Sequence, residues 1–201
     1  MIPLYLDLSD KKAVVFGGGP VGQRKAAYLS KEASVTIVDR SDGPCPPGVT
    51  RVRAELKDSL DLIRKSDIVV AATDSYETYD IICREARARG KMFNRADGNG
   101  TFLIPSLVER RNFSVAVSTE GRSPGMSKIL KDHIDKQLPP EWEQMVDLME
   151  KVRQALKDSV PDQRRRETVL RALTEDREVW RSLSFGTETA FQLAMRKAVT
   201  L

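Results

Sequence analysis

Histidine occurs once in these 201 residues and cysteine twice, so the side chains that most often hold zinc are nearly absent. Cys45 and Cys83 stand in unrelated contexts with no CxxC spacing, which excludes a disulfide framework and a cysteine-ligated zinc site. His133, with no second His or Cys at ligand spacing, cannot complete such a site either, and no metal is expected. No uninterrupted apolar run approaches the length needed to cross a bilayer. The segment from Met1 to Asp7 has neither the basic flank nor the long apolar core of a secretory leader, and the chain turns polar by Ser9. The expectation from these absences is a cytoplasmic protein that does not engage a membrane. Internal repeats and low-complexity segments are also lacking, which excludes solenoids and tethers.

What is present is the balance of a globular protein, with 40% hydrophobic and 31% charged residues. The net charge of +4 is modest. Its basic clusters, Arg164-Arg165-Arg166 and Arg84 with Arg87 and Arg89, suit solvated helix faces or a polyanionic small molecule; nucleic acid is not an expected partner. Short apolar runs alternate with amphipathic stretches through the first half, the pattern of a parallel sheet covered by helices. Strands are predicted at Ala13 to Phe16, Val35 to Asp39, Thr50 to Arg53 and Ile68 to Ala72, with helices over Val21 to Lys31, Ser59 to Lys65 and Glu77 to Arg89. Two further strands are predicted at Thr101 to Ile104 and Phe113 to Val117, joined through the charged stretch Glu109 to Asn112. A helix then starts at Ser123-Pro124, carrying Met126, Ile129, Leu130, Ile134 and Leu138 along one side, and Pro139-Pro140 breaks it. From Glu141 onward only helical periodicity remains, interrupted at Pro161 and Gly186.

Gly17, Gly19 and Gly22 form a GxGxxG pattern directly after one predicted strand and directly before one predicted helix. In that context the first glycine permits a tight turn, the second lets a pyrophosphate approach the backbone and the third lets helix and strand pack closely. Pro20 and Val21 open the helix, whose free N–H groups favour phosphates. Asp39 ends the second strand about twenty residues on, where a carboxylate accepts hydrogen bonds from an adenosine ribose. Its charge argues for NAD over NADP, whereas the neighbouring Arg40 offers a guanidinium to a 2′-phosphate. Ser41 follows in the same loop. Thr73, after the strong strand, is read either as a cofactor contact or, with Asp74, as a helix cap. Asn94 ends the next strand in the same manner. Asp97 follows it, as a turn former before Gly98 or as a general acid or base facing the nicotinamide. His133 shares a helix side with Met126, Ile129 and Leu130, and is read as packed or interfacial.

An ordered series of residues resembles the precorrin-2 dehydrogenases of sirohaem biosynthesis, a module also found fused within sirohaem synthase. It runs through Pro3-Leu4-Tyr5 with Leu8, Val14 to Lys25, Ala71-Ala72-Thr73-Asp74, Asn94 to Asp97, Phe102 to Ser106, Val115 to Thr119 and Gly121-Arg122-Ser123-Pro124. The resemblance covers residues 1 to about 138 and implies NAD-dependent oxidation of precorrin-2 to sirohydrochlorin in a homodimer. It implies that Asp97 is the catalytic group and that Ser123 and Pro124 lie near the tetrapyrrole. Some relatives also insert ferrous iron, so a bifunctional enzyme stands as an alternative, as does a non-catalytic NAD-sensing module. The expected architecture is α/β: an NAD-binding Rossmann domain over 1–112, a small α+β dimerisation region over 113–140 and a helical C-terminal domain over 141–201.

Overall fold

A computed structural model describes residues 1–95 and 100–200. Five strands, β1 (Lys12–Phe16), β2 (Ser34–Asp39), β3 (Val49–Arg53), β4 (Ile68–Ala71) and β5 (Met92–Arg95), form one parallel sheet in the order β3-β2-β1-β4-β5. The chain steps outward from β1 to β3 on one side and then restarts beside β1 with β4. The switch point therefore lies between β1 and β4, where Phe16 pairs with Ala71. Alternation along the strands sends Val15, Ile37 and Val70 to one face, against Ala26 and Leu29 of helix α1 (Pro20–Leu29). Val14, Phe16, Val69 and Phe93 go to the other face, against Tyr79, Ile82 and Ala86 of a later helix (Tyr76–Ala88). With both faces covered, the strands are continuous in apolar residues, and each fully buried Ile or Phe contributes about 1.5–3 kcal/mol. The Rossmann-type sheet expected from the sequence is the one found.

Two details differ from expectation. The single helix predicted over Ser59 to Lys65 is two short ones, α2 (Leu56–Ser59) and α3 (Asp61–Lys65); the Ser59 hydroxyl donates to the carbonyls of Glu55 and Leu56 and helps close the first. The Tyr76–Ala88 helix is α4. Thr101 to Ile104 is not a strand. Thr101 N–H donates to the Phe93 carbonyl at 2.8 Å, its hydroxyl accepts from Phe93 N–H at 2.8 Å, and the Phe102 carbonyl accepts from the Asn94 side chain. The segment is thus tied to β5 by one backbone bond and two side-chain bonds that occupy the Thr101 amide and the Phe102 carbonyl without forming a ladder, and Pro105 adds no donor. The antiparallel hairpin forms one step later, from β6 (Ser106–Glu109) and β7 (Ser114–Val117).

The described chain divides into two compact units, the first holding 1–104 and 119–123, the second 105–118 and the residues from Pro124 onward. In the second unit the β6–β7 hairpin packs with α5 (Pro124–Lys136), and Arg110 at its turn donates to Asp135 at 2.6 Å. Helices α6 (Glu141–Ser159), α7 (Gln163–Glu175), α8 (Arg177–Ser182) and α9 (Thr187–Thr200) share a core of Leu148, Val152, Leu156, Val169, Leu173 and Val179. Ala190, Ala194 and Ala198 recur every fourth residue on α9 and let its backbone approach that core closely. On α5, Met126, Ile129 and Leu130 are 45%, 61% and 41% exposed, so that side of the helix does not serve as core for its own unit.

Candidate active site

The three motif glycines occupy physically different positions. Gly17 has φ 105°, and a Cβ there would lie 2.2 Å from the Ala72 carbonyl oxygen, so the turn out of β1 admits no side chain. Gly22 is buried, with its hypothetical Cβ 1.9 Å from the Gly17 carbonyl oxygen, where α1 crosses close over the turn. Gly19 has ordinary extended backbone, φ −71° and ψ −179°, and nothing lies within 4 Å of where its Cβ would be. The space in front of it is open. Gly19 is the N-cap of α1, Pro20 follows it, and no acidic residue occupies the first turn. The positive end of the helix therefore meets no carboxylate from its own first turn, and the N–H groups of Val21 and Gly22 have no intrahelical acceptor.

A cleft of about 360 Å³ opens at this turn, at the carboxyl ends of the strands. Gly17, Gly19, Asp39, Arg40 and Thr73 all line it. Asp39 is held from several sides: Oδ2 accepts from Gly18 N–H at 2.6 Å, and Oδ1 accepts from the Ser41 amide and hydroxyl at 2.8 and 2.6 Å. Burial pushes the Asp39 carboxyl upward, but the Ser41 hydroxyl, the amides of Gly18 and Ser41 and the nearby Arg51 charge outweigh it and hold the group below its ordinary value. Thr73 donates to the Ser75 carbonyl, whereas the cap of α4 is Ser75, whose hydroxyl accepts from Thr78 N–H. The capping role considered for Thr73 and Asp74 thus belongs to Ser75.

Asn94 is buried on the α1 face of the sheet and does not line this cleft. Its Nδ2 donates to the Phe102 carbonyl and its Oδ1 accepts from Lys25 Nζ at 2.5 Å. Burial, and then repulsion from Arg24, lower the Lys25 pKa. Asp97 lies outside the described residues. Ser123 N–H donates to the Thr119 hydroxyl and ends the stretch that belongs to the first unit, while Pro124 opens α5 in the second. His133 is exposed on α5, so of the two readings the packed one is excluded.

Sequence reasoning missed several contributors. Leu56 and Thr78 form further walls of the cleft, and the carboxyl end of β3 could have been searched because open sheets bind at all such ends. Arg51 had no local signal. Its side chain, 13% exposed, runs from β3 to the glycine turn, where a Cβ on Gly18 would come within 2.5–2.8 Å of its guanidinium. Among the described residues, no three His, Cys, Asp or Glu side chains cluster as a metal site, and no helix is long and apolar enough to cross a membrane.

The geometry matches what comparison with known proteins finds. Residues 4–106 match a family described as "Putative NAD(P)-binding". A precorrin-2 dehydrogenase of Methanosarcina barkeri is 32% identical over 96% of this chain and 91% of its own length. The chain belongs to the precorrin-2 dehydrogenase family. A siroheme synthase of Methylobacillus flagellatus is 32% identical over 82% of the chain, which spans only 37% of that longer protein. The solved structure of SirC, a precorrin-2 dehydrogenase, shares the fold, with a TM-score of 0.75 across 98% of this chain and 100% of its own at 19% identity. The residues present fit a nicotinamide dinucleotide in one respect: the backbone at Gly19 is open, with nothing within 4 Å of where its Cβ would be.

Proposed function

We propose that this chain oxidises precorrin-2 to sirohydrochlorin, with NAD as hydride acceptor. The observation that carries the reading is the identity to a precorrin-2 dehydrogenase over nearly the whole of both chains, joined to an open glycine turn at the head of α1. Bound dinucleotide supplies the hydride-accepting ring; positioning and proton transfer fall to the protein. On this reading Gly17 and Gly22 shape the turn, and Gly19, Pro20 and Val21 leave the first helical amides open to the diphosphate. Asp39 and Ser41 receive the adenosine ribose, and Arg40 and Thr73 flank it; Asn94, the remaining cofactor-binding candidate of the sequence, is buried off the cleft and receives no part in this reading. The ionised Asp39 supports NAD over NADP. We assign Asp97 as the base that takes the proton, and Ser123 with Pro124 to the tetrapyrrole.

We further assign 1–112 to cofactor binding, 113–140 to dimerisation and 141–201 to a helical domain, and place the reaction in the cytoplasm. Exposed Ile129 and Leu130 on α5 support a homodimer through the middle region. Anaerobic incubation with precorrin-2 and NAD tests the activity: NADH and sirohydrochlorin should appear in equal amounts. Asp97→Ala should lower kcat by about 10²-fold or more while leaving the Kd for NAD nearly unchanged. Tight NAD binding with no turnover in the parent protein would leave only a sensor.

A further inference from the structure

Arg51 belongs to none of the roles above. Its Nε and Nη2 donate to the Ser41 carbonyl at 3.3 and 2.9 Å, and its Nη1 donates to the Pro44 carbonyl at 3.1 Å. Nη2 stands 3.7 Å from Asp39 Oδ1. The guanidinium also fills the place where a side chain on Gly18 would begin, and lies 3.3–3.4 Å from where one on Gly43 would. It does not line the cleft, and so stands behind Asp39. A strand residue thus fixes the loop after β2 and places a permanent positive charge beside the carboxylate that the cleft presents.

We propose that Arg51 is a positioning residue that sets the cofactor preference: by bracing and neutralising Asp39 it weakens the discrimination against an adenosine 2′-phosphate. The inference rests on the reading of this cleft as the adenosine site. Asp39 Oδ1 is already occupied by both Ser41 donors, and Oδ2 keeps one lone pair beyond Gly18 N–H. A 2′-hydroxyl needs only that lone pair, whereas a 2′-phosphate meets the net charge of the site. With Arg51 in place that charge is near zero from the pair, and Arg40 adds a cation at the rim of the cleft. Without Arg51, the bare carboxylate repels the phosphate over a distance short compared with the screening length.

Direct binding of NAD and of NADP, by calorimetry, to the parent and to Arg51→Met, Arg51→Lys and Gly18→Ala tests this. Arg51→Met should weaken NADP more than NAD, widening the ratio of their Kd values about fivefold or more. Arg51→Lys should restore most of the ratio by charge, without restoring the bracing of the loop. Gly18→Ala should displace the guanidinium and shift the ratio in the same direction, with little added effect in the Arg51→Met background. Melting temperatures identify any variant that fails to fold, in which case the Lys and Gly18 variants carry the comparison. Equal weakening of both cofactors in Arg51→Met, or no change in either, overturns the proposal. Failure of the parent to bind either dinucleotide overturns the reading of the cleft instead.

Discussion

A methyl group added at Gly22 and a side chain added at Gly19 should do opposite kinds of damage. At Gly22 it strikes a backbone carbonyl at 1.9 Å, and neither α1 nor the turn can yield without repacking. Gly22→Ala should therefore cost about 1–3 kcal/mol of stability, read from urea denaturation. At Gly19 the space is empty, so Gly19→Val should lose less stability than Gly22→Ala yet abolish most NAD binding, because the valine fills the approach of the diphosphate. Full NAD affinity in that variant would mean the diphosphate passes elsewhere. Residues of this kind were legible because strand, glycines, helix, strand and acid are contiguous in sequence. Arg51 was not, because its meaning comes from Gly18, brought beside it only when β3 joins the sheet next to β2.

Among the elements, α8 depends most visibly on one side chain. Asp176 caps it through the amides of Glu178 and Val179, at 2.7 and 3.1 Å, and its other oxygen accepts from Lys197 on α9 at 2.6 Å. That bond from Lys197 outweighs burial, and with the two capping amides it holds the Asp176 carboxyl below its ordinary value of 3.8. Since the folded group titrates lower than the unfolded one, its contribution is complete above about pH 4 and is lost as the pH falls through the folded value. Asp176→Ala should cost about 1 kcal/mol at pH 7, and its deficit should shrink at pH 3. An equal deficit at both values, measured by urea unfolding, would count against the ion-pair account.

The same scale shows where pattern reading ran out. Thr101 to Ile104 has the composition of a strand, but its hydrogen-bonding groups are spent on Phe93 and Asn94, partners a local window cannot contain. Met126, Ile129, Leu130 and Ile134 do share α5, whereas Leu138 lies beyond its end at Lys136. Periodicity alone cannot say whether such a stripe meets its own core or another molecule, and here Ser127 rather than Ile129 is the buried position.

For the whole molecule, that exposed side of α5 decides the state of assembly on the proposed reading. Ile129→Glu, alone or with Leu130→Glu, should convert a dimer to a monomer in light scattering while leaving helix content unchanged, because neither residue is part of the core of its unit. A dimer that survives both changes would place the interface on another surface. The head of α1 carries a different consequence. Its attraction for anions comes from peptide groups that every amino acid possesses, not from lysine or arginine. Exchanging charged residues on the surrounding surface would therefore leave the seat intact; only bulk can close it.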